Sequence, residues 1–268
     1  MKLNKEIISY FNDYENVLRS NNYFNLLGKK HNNGISEYIN NQKEHLIFNA
    51  KIINKIIQGF NKDIIKIADI GSYPGTLAYI LRKIFPPNKL KISIYDHPNI
   101  INENQTYFDF CKENQISSNP LDLKNFKNLN DEFDIIIMSE VLEHLPSNPY
   151  HILRKLNNSL LENGIFYLTV PNSAKLKNRI KFFFGLSIYE NVNSYFVEED
   201  HPNNLYGYHW REFTTKEISS ILQHLNLNIE KLETIGYDNK LQNKLILIIN
   251  KIFKTNFGQK IVSISSKK

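Results

Sequence analysis

The stretch IIKIADIGSYPGT, residues 64–76, joins an apolar strand pattern to a glycine-containing turn, and the helical pattern TLAYILRKIF begins at its end. A glycine at such a turn, here Gly71 or Gly75, has no Cβ that would keep a ligand away from the backbone. The first N–H groups of the following helix lack intrahelical partners and are free to donate to that ligand. The stretch therefore predicts a βα unit whose turn binds a small molecule. A purely structural turn is the alternative.

Similar short apolar runs alternate with helical patterns along the rest of the chain. They are LKISIYD, QISSN, FDIIIMS, GIFYLTV, LNIEKLETIG and QKIVSIS. This alternation indicates parallel βαβ units, and the unbroken apolar run 135–138 suits a strand that is buried on both faces. We therefore predict an α/β fold with a doubly wound, mostly parallel seven-stranded sheet, a Rossmann-like arrangement.

Helical patterns flank these strands. Apolar residues at spacings of three and four run from residue 36 to residue 60, and Gly59 marks the expected helix end. KLKNRIKFFFGL predicts a basic amphipathic helix, and LQNKLILIINKIFK predicts another helix. TTKEISSILQHLNL predicts a helix with Thr214 or Thr215 as N-cap.

The composition is that of a soluble globular protein. Of 268 residues, 41% are hydrophobic and 22% are charged, which excludes a disordered chain. The single Cys111 excludes a disulfide scaffold and predicts a buried thiol in a reducing compartment. No apolar run approaches the length of a membrane span. We therefore expect a cytoplasmic protein.

A net charge of +6 and a pI near 9.1 raise the question of nucleic-acid or membrane-surface binding. The positive charges are mostly lysines in a chain rich in Asn and Ile, whereas bidentate phosphate recognition favours arginine. Compositional drift is therefore favoured over nucleic-acid binding, and the charge alone identifies no partner. The oligomeric state is left open.

Acidic residues follow the second and third predicted strands. Asp96 stands 25 residues after Gly71, where a carboxylate commonly accepts two ribose hydroxyls. Asp122 stands where it could accept from an adenine amino group. As an alternative, both are ordinary turn residues.

SEVLEHLP, residues 139–146, follows the fourth strand and places Glu140, Glu143 and His144 at positions i, i+3 and i+4. If this segment is helical, all three side chains leave one face at the edge of the sheet where α/β ligands bind. The alternative is a helix with acidic residues in its first turn.

HPNNLYGYHWREFT, residues 201–214, concentrates polar aromatic side chains before a helix. Tyr, His, Trp and Arg combine contact area with hydrogen-bonding groups and suit a sugar or phosphate acceptor. Alternatively, the segment is a lid in which Trp210 and Phe213 are core residues.

Together these motifs resemble the class I S-adenosylmethionine-dependent methyltransferases with an EVLEH-type motif after the fourth strand. The resemblance covers roughly residues 45–240, with one departure, because Tyr73 stands where this family usually has glycine. It implies that an acceptor nucleophile attacks the sulfonium methyl group and that S-adenosylhomocysteine leaves. A nicotinamide oxidoreductase is disfavoured because residues 71–73 break the G-x-G-x-x-G fingerprint.

The resemblance also implies an organisation for the chain. We expect a single domain over residues 1–268, with a helical cap at 1–62, a cofactor-binding core at 63–172, an acceptor insertion or lid at 173–211, and C-terminal strands and helices at 212–268. The implied cofactor-binding residues are Asp69, Gly71, Ser72, Tyr73, Gly75, Asp96, His97, Asp122, Leu123, Ser139 and Glu140.

The sequence also predicts residues that bind the acceptor and a residue that acts as the base. Tyr206, Tyr208, Trp210 and Arg211 are the predicted acceptor-binding residues. The predicted base is His144 or His209, since an imidazole with an ordinary pKa near 6.5 is largely neutral at physiological pH.

The loop resembles those of bacterial enzymes that modify surface glycans, which implies O-methylation of a small polar acceptor with a sugar, phosphoryl or phosphoramidate group. RNA 2′-O-methylation, quinone or lipid methylation, and a non-catalytic cofactor-binding scaffold are the alternatives.

A divalent metal is a further alternative. Glu140, Glu143, His144 and His209 offer suitable ligands for Mg²⁺, Mn²⁺ or Zn²⁺. The pattern resembles small-RNA 3′-end 2′-O-methyltransferases, whereas many EVLEH-type enzymes work without metal.

Overall fold

The computed structural model describes residues 2–20, 34–103, 105–145, 147–189, 209–236 and 257–268. Two helices open the chain, α1 (Lys2–Ser20) and α2 (Gly34–Gly59). Ala50, Ile53 and Ile57 in α2 are fully buried, at spacings of three and four that place them on one face. The predicted N-terminal helix and its end at Gly59 are therefore confirmed.

Seven strands form one sheet in the order β3-β2-β1-β4-β5-β7-β6. Their bounds are β1 Ile65–Ile70, β2 Leu90–Asp96, β3 Ser117–Pro120, β4 Phe133–Ser139, β5 Leu160–Pro171, β6 Leu227–Ile235 and β7 Lys260–Lys267.

The pairing of the strands identifies the fold class. β1 pairs with β2 and β2 with β3 in parallel, whereas β7 is antiparallel to both β5 and β6. Ile135, Ile136, Ile137 and Met138 of β4 are all fully buried, as a strand covered on both faces requires. The predicted seven-stranded, mostly parallel Rossmann-like sheet is therefore confirmed.

Helices connect the strands as the periodicity predicts. They are α3 Thr76–Ile84, α4 Pro98–Glu103, α5 Gln105–Glu113, α6 Pro149–Asn158, α7 Leu176–Phe183 and α8 Thr215–His224. Helix α8 begins with a capping box, because the Thr214 side chain accepts from the Glu217 N–H while the Glu217 carboxylate accepts from the Thr214 N–H. The helix predicted at residues 241–254 lies outside the described residues.

The segment SEVLEHL is not the α-helix that its spacing predicts. A single 3₁₀ turn covers Leu142–His144, and Glu140 has a φ of 56°, outside the helical region. Leu145 is extended, the conformation favoured before a proline such as Pro146. The segment therefore forms one 3₁₀ turn instead of an α-helix. Glu140 does not share a helical face with Glu143 and His144.

The described chain groups into two compact units. One contains residues 1–127 and 131–136, and the other contains residues 128–130 and 137–268. The expectation of a single domain stays a prediction. Cys111 is buried in the first unit, which confirms the predicted buried thiol. Within the described ranges, no helix combines the length and the apolar character that crossing a bilayer requires.

Candidate functional site

The turn after β1 has the backbone geometry of a ligand-binding βα turn. Gly71 and Gly75 have φ values of 67° and 86°, which side chains with a Cβ rarely adopt. A Cβ on Gly75 would lie 2.9 Å from Tyr107 Oη, so space as well as conformation requires glycine there. Gly75 is the N-cap of α3, and no side chain caps this helix start. The prediction of a tight turn leading into a helix is therefore confirmed.

Asp96, the last residue of β2, lies beside this turn with one oxygen engaged. Its Oδ1 accepts a hydrogen bond from the Tyr73 N–H at 3.0 Å, and its Oδ2 is buried and has no hydrogen-bond partner among the described residues. Burial raises the pKa of Asp96 to about 7, although the N–H groups of Tyr73 and Ser72 act to lower it. A buried, unpartnered carboxylate oxygen suits a hydroxyl donor such as a ribose.

Asp69 is a second buried carboxyl group at the same turn. Burial, followed by the charge of Asp96, raises the pKa of Asp69 to about 7, while a hydrogen bond with the Ser72 side chain lowers it. Two carboxyl groups this close resist simultaneous ionisation near neutral pH. A bound cofactor that donates hydrogen bonds or brings positive charge would favour their ionised forms.

The Tyr73 side chain packs against an aromatic ring beside the turn. Its ring meets the Tyr107 ring edge-on, with centroids 5.1 Å apart. From α1, Tyr14 donates its hydroxyl to the Pro74 carbonyl and stacks on Tyr79 of α3, with ring centroids 4.7 Å apart. Tyr14 and Tyr107 belong to no local motif and were not predicted from the sequence.

Asp122 and His97 take part in local turns. Asp122 Oδ1 accepts from the Lys124 N–H at 2.9 Å, and Oδ2 accepts from the Asn125 side chain at 2.7 Å. His97 Nδ1 accepts from the Asn99 N–H at 3.3 Å. Contacts of His97, Asp122 and Leu123 with an adenosine stay predictions.

In the second unit, Glu140 bonds to neighbouring strands. Its Oε1 accepts from the Thr169 hydroxyl at 3.0 Å, and its Oε2 forms an ion pair with Lys260 at 2.7 Å. Ser139 lies 2.8 Å from Thr169, hydroxyl to hydroxyl. Glu140, which has a left-handed backbone, is thus engaged by Thr169 and Lys260, and its place in the predicted metal set stays a prediction. Cofactor contacts of Ser139 and Glu140 stay predictions.

Glu143, His144 and His209 do come together. Their potential ligand atoms all lie within 4.8 Å of one another. The Trp210 N–H donates to the Glu143 carbonyl at 2.8 Å, which holds His209 beside His144, with ring centroids 4.8 Å apart. The sequence predicted this meeting of residues that are 65 positions apart.

The Glu143 carboxyl group is fully buried, and neither of its oxygens has a hydrogen-bond partner among the described residues. Burial, followed by the charge of Glu140, raises the pKa of Glu143 well above its ordinary value. Such a group is satisfied by taking up a proton or by binding a cation. Glu143, His144 and His209 are therefore the described residues that could hold a divalent metal.

Glu212 supports His209 and is a further residue that was not predicted from the sequence. His209 Nδ1 lies 3.4 Å from Glu212 Oε1, and Asn178 donates to Glu212 Oε2 at 3.0 Å. Burial alone would raise the pKa of Glu212, but hydrogen bonds from His209, Lys175 and Asn178 lower it below its ordinary value. The sequence signal that could have identified Glu212 is its position three residues after His209. Glu212 is therefore an ionised, buried partner for the imidazole.

The predicted acceptor-binding residues are described in part. Trp210 is exposed, whereas the Arg211 guanidinium pairs with Glu217 at 2.7 Å and lies over the Phe213 ring. The lid alternative, with both Trp210 and Phe213 in the core, is therefore right for the buried Phe213 and wrong for Trp210. Tyr206 and Tyr208 lie outside the described residues.

A methyltransferase-domain family matches residues 41–232, more than half of the chain. The chain therefore belongs to this family, whose methyl donor is S-adenosylmethionine. The turn fits that cofactor, since Asp96 leaves a buried oxygen for a ribose hydroxyl and the start of α3 carries no side-chain cap. The EVLEH-type subgroup and the acceptor are not identified by this match.

One relative with a methyltransferase name shares part of this sequence. The ubiquinone biosynthesis O-methyltransferase of Glaesserella parasuis serovar 5 (strain SH0165) is 34% identical over 77 residues, which cover 29% of this chain and 28% of that relative. The aligned stretch thus spans less than a third of the relative's length.

Two solved structures share the fold. The magnesium protoporphyrin IX methyltransferase of Synechocystis PCC 6803, with bound S-adenosylhomocysteine, has a TM-score of 0.58 at 13% identity, covering 92% of this chain and 94% of that one. An S-adenosylmethionine-dependent methyltransferase of Clostridium acetobutylicum ATCC 824 has a TM-score of 0.55 at 17% identity, covering 84% and 91%.

Proposed function

We propose that this protein transfers a methyl group from S-adenosylmethionine to a hydroxyl oxygen of a small polar acceptor. The observation that carries the proposal is the His209–Glu212 pair beside His144. In the reaction, the acceptor oxygen forms a bond to the methyl carbon, the carbon–sulfur bond breaks, and S-adenosylhomocysteine leaves. The hydroxyl proton goes to a base on the protein.

His209 is the proposed base. Because the ionised Glu212 accepts from Nδ1–H, the lone pair of the neutral ring lies on Nε2, where it can take the acceptor proton. The negative charge of Glu212 also stabilises the imidazolium that forms, and Lys175 and Asn178 hold that carboxylate in place. His144 is the alternative base.

The acceptor class is proposed from one exposed side chain and one relative. The exposed Trp210 indole offers a face for a sugar ring, which agrees with a sugar, phosphoryl or phosphoramidate acceptor from surface-glycan biosynthesis. The Glaesserella relative, named a ubiquinone biosynthesis O-methyltransferase, favours a phenolic quinone precursor as the second candidate. The sugar hydroxyl and the phenol each carry a proton that has to leave, so these two candidates need the same base.

An acceptor screen with isotopically labelled S-adenosylmethionine tests the proposal. Sugar nucleotides, glycosyl phosphates, a dihydroxyphenol and an RNA oligonucleotide serve as probes. We expect labelled product from a hydroxyl compound, with turnover reduced by about 10²–10⁴-fold in His209→Ala. Glu212→Gln should reduce turnover while leaving S-adenosylhomocysteine affinity unchanged. Undiminished turnover in His209→Ala would exclude His209 as the base.

Neither oxygen of Glu143 accepts a hydrogen bond from the described residues, and Oε1 lies 4.0 Å from His144 Nε2. This arrangement favours one further candidate for the cluster, a divalent metal held by Glu143, His144 and His209. Glu212 would then orient His209 from behind, as carboxylates do for metal-bound histidines. Exhaustive chelation separates the two mechanisms. The base mechanism predicts full activity after EDTA treatment, whereas the metal mechanism predicts a loss that Mn²⁺ or Mg²⁺ restores.

A further inference from the structure

Helix α7 has its polar side turned inward. Asn178 is only 2% exposed, and its side chain donates to the Ser173 carbonyl and to Glu212, each at 3.0 Å. At about 100° per residue, Ile180 and Phe183 point away from Asn178. Phe183 is 84% exposed, and Ile180 is exposed as well. This is the reverse of the usual surface helix, whose apolar stripe faces the core.

The exposed apolar surface continues beyond the end of the helix. Its members, here called the α7 apolar ridge, are Ile180, Phe182, Phe183, Phe184, Leu186 and Tyr189, all exposed. Isolated exposed apolar residues are ordinary, but a contiguous group marks a protein or membrane contact. Helix α7 ends in Phe182 and Phe183, and Phe184 follows it. All three are exposed, although Phe182, four residues after Asn178, lies on the Asn178 side of the helix. Exposed phenylalanines at the end of a short helix have the shape for shallow insertion into a bilayer surface.

The charge around the ridge favours a membrane over an apolar protein partner. Residues 173–189 contain four basic residues and no acidic residue. Lys175 pairs with Glu212, and the Arg179 guanidinium lies over the Phe257 ring. Lys177 is exposed and Lys181 is partly exposed, one helical turn apart beside Ile180 and Phe184. Lysines beside an exposed apolar face are typical of helices that bind anionic lipids.

We propose that the α7 apolar ridge docks this protein reversibly on an anionic bilayer surface. The phenylalanine side chains enter the boundary between headgroups and acyl chains, while Lys177 and Lys181 approach the lipid phosphates. This contact needs no spanning helix, and it places the enzyme where lipid-attached or membrane-adjacent molecules are present. It is independent of the acceptor and of the base.

Vesicle co-sedimentation tests the proposal with the full chain. Vesicles of phosphatidylcholine alone are compared with vesicles that contain about 30% phosphatidylglycerol. We expect binding to the anionic vesicles that weakens with salt. Phe182→Ser/Phe183→Ser should weaken it by about ten-fold or more, and Lys177→Glu/Lys181→Glu should abolish the preference for phosphatidylglycerol.

Matched variants control for general effects. Phe108→Ser removes an exposed aromatic side chain of α5, and Lys112→Glu/Lys127→Glu makes the same change in charge elsewhere. Both should bind vesicles like the wild type. In addition, Phe183→Trp should show a blue-shifted emission, quenched by brominated lipid, above the background of Trp210.

Two results would overturn the proposal. One is a wild-type protein that does not sediment with anionic vesicles at low salt. The other is a Phe182→Ser/Phe183→Ser variant that binds as well as the wild type. If the wild type instead forms a dimer without binding vesicles, and this variant is monomeric, the ridge is an interface between two copies.

Discussion

Asp69 and Asp96 are buried carboxyl groups in positions that stability alone does not explain. Both carboxyl groups are buried beside one turn, and the pKa of each is raised to about 7. A core built only for stability would place apolar side chains or paired charges there. The unpartnered oxygen of Asp96 is therefore best explained by a ligand that supplies the missing donor.

The first prediction concerns the stability of the cofactor-free protein. The pKa of Asp96 is 3.8 in the unfolded chain and is raised to about 7 in the folded protein. The folded state therefore binds more protons than the unfolded state between these two pH values. The Asp96 contribution is therefore present at low pH and lost as pH rises toward 7. Asp96→Asn, which stays neutral, should gain stability relative to the wild type by up to about 1.4 kcal/mol per pH unit over that interval.

Urea unfolding of both proteins between about pH 5 and about pH 8 measures this difference. Asp63→Asn, an exposed residue outside the turn, is the control and should show no such trend. A difference between Asp96→Asn and the wild type that is independent of pH would contradict the raised pKa.

The second prediction concerns cofactor affinity. Ribose hydroxyls donate to an ionised carboxylate, so protonation of Asp96 below about pH 7 should weaken S-adenosylhomocysteine binding by up to ten-fold per pH unit. Asp96→Asn should bind less tightly by about 1–3 kcal/mol at pH 8, with a flatter pH profile. Calorimetric titration measures both effects, and a wild-type affinity that does not change across this range would count against an ionised Asp96 in the complex.

The third prediction concerns Gly75. Gly75→Ala should destabilise the protein by about 1–3 kcal/mol, since φ is 86° and the new Cβ would meet Tyr107 Oη. Tyr107→Phe in the same protein removes the clashing oxygen but leaves the backbone strain, so it should restore only part of the loss. Thermal unfolding of the two single variants and the double variant separates these effects. Full stability of Gly75→Ala alone would contradict the described turn.

At the scale of elements, helix α8 depends on its first turn. Thr214 Oγ1 accepts from the Glu217 N–H at 3.2 Å, and the Thr214 N–H donates to Glu217 Oε2 at 2.8 Å. The helix follows directly after His209 and Glu212, so its start also positions the end of that segment. The cap therefore supports the candidate site as well as the helix.

The fourth prediction tests this cap. Thr214→Ala should lower the free energy of unfolding by about 1 kcal/mol, because the N-cap hydroxyl that accepts from the Glu217 N–H is lost, whereas the Glu217 carboxylate can still accept from the residue 214 N–H. Thr214→Ser keeps the hydroxyl and should retain most of the stability. Urea unfolding compares the three proteins, and equal stability of the Ala and Ser variants would show that the cap contributes little.

A strand, helix or turn could be predicted from the sequence where neighbouring residues determine it. The strands and the β1–α3 turn were predictable, because buried parallel strands form apolar runs and the turn contains two glycines. The helix that the charge spacing at residues 140–144 would favour is not formed, because the structure has only a 3₁₀ turn at Leu142–His144. A single residue with positive φ, Glu140, then changed which side chains meet.

Candidate site residues could be predicted where they belong to a sequence motif. Asp96 and the cluster of His144 with His209 were found from spacing and residue type, whereas Tyr14 and Tyr107 were not. Their roles arise from packing between α1, α3 and α5, and no local periodicity encodes which tyrosine meets which turn. Glu212 was also missed, since a glutamate before a helix is common.

At the scale of the whole molecule, the fold and the family membership agree. This chain of the methyltransferase-domain family has a seven-stranded sheet with an antiparallel β7, a glycine-containing turn after β1 and an acidic residue at the end of β2. The fold alone does not select an acceptor, because one scaffold serves many chemistries. The acceptor therefore has to be found by experiment, whereas the cofactor follows from the family and the turn.

Calorimetric titration of the full chain with S-adenosylhomocysteine, and separately with NAD, tests the central claim most directly. The structure predicts saturable binding of S-adenosylhomocysteine that Asp96→Ala weakens by about 1–3 kcal/mol, and no binding of NAD. Binding of NAD without binding of S-adenosylhomocysteine would contradict the assignment of this turn to a methyl-donor cofactor.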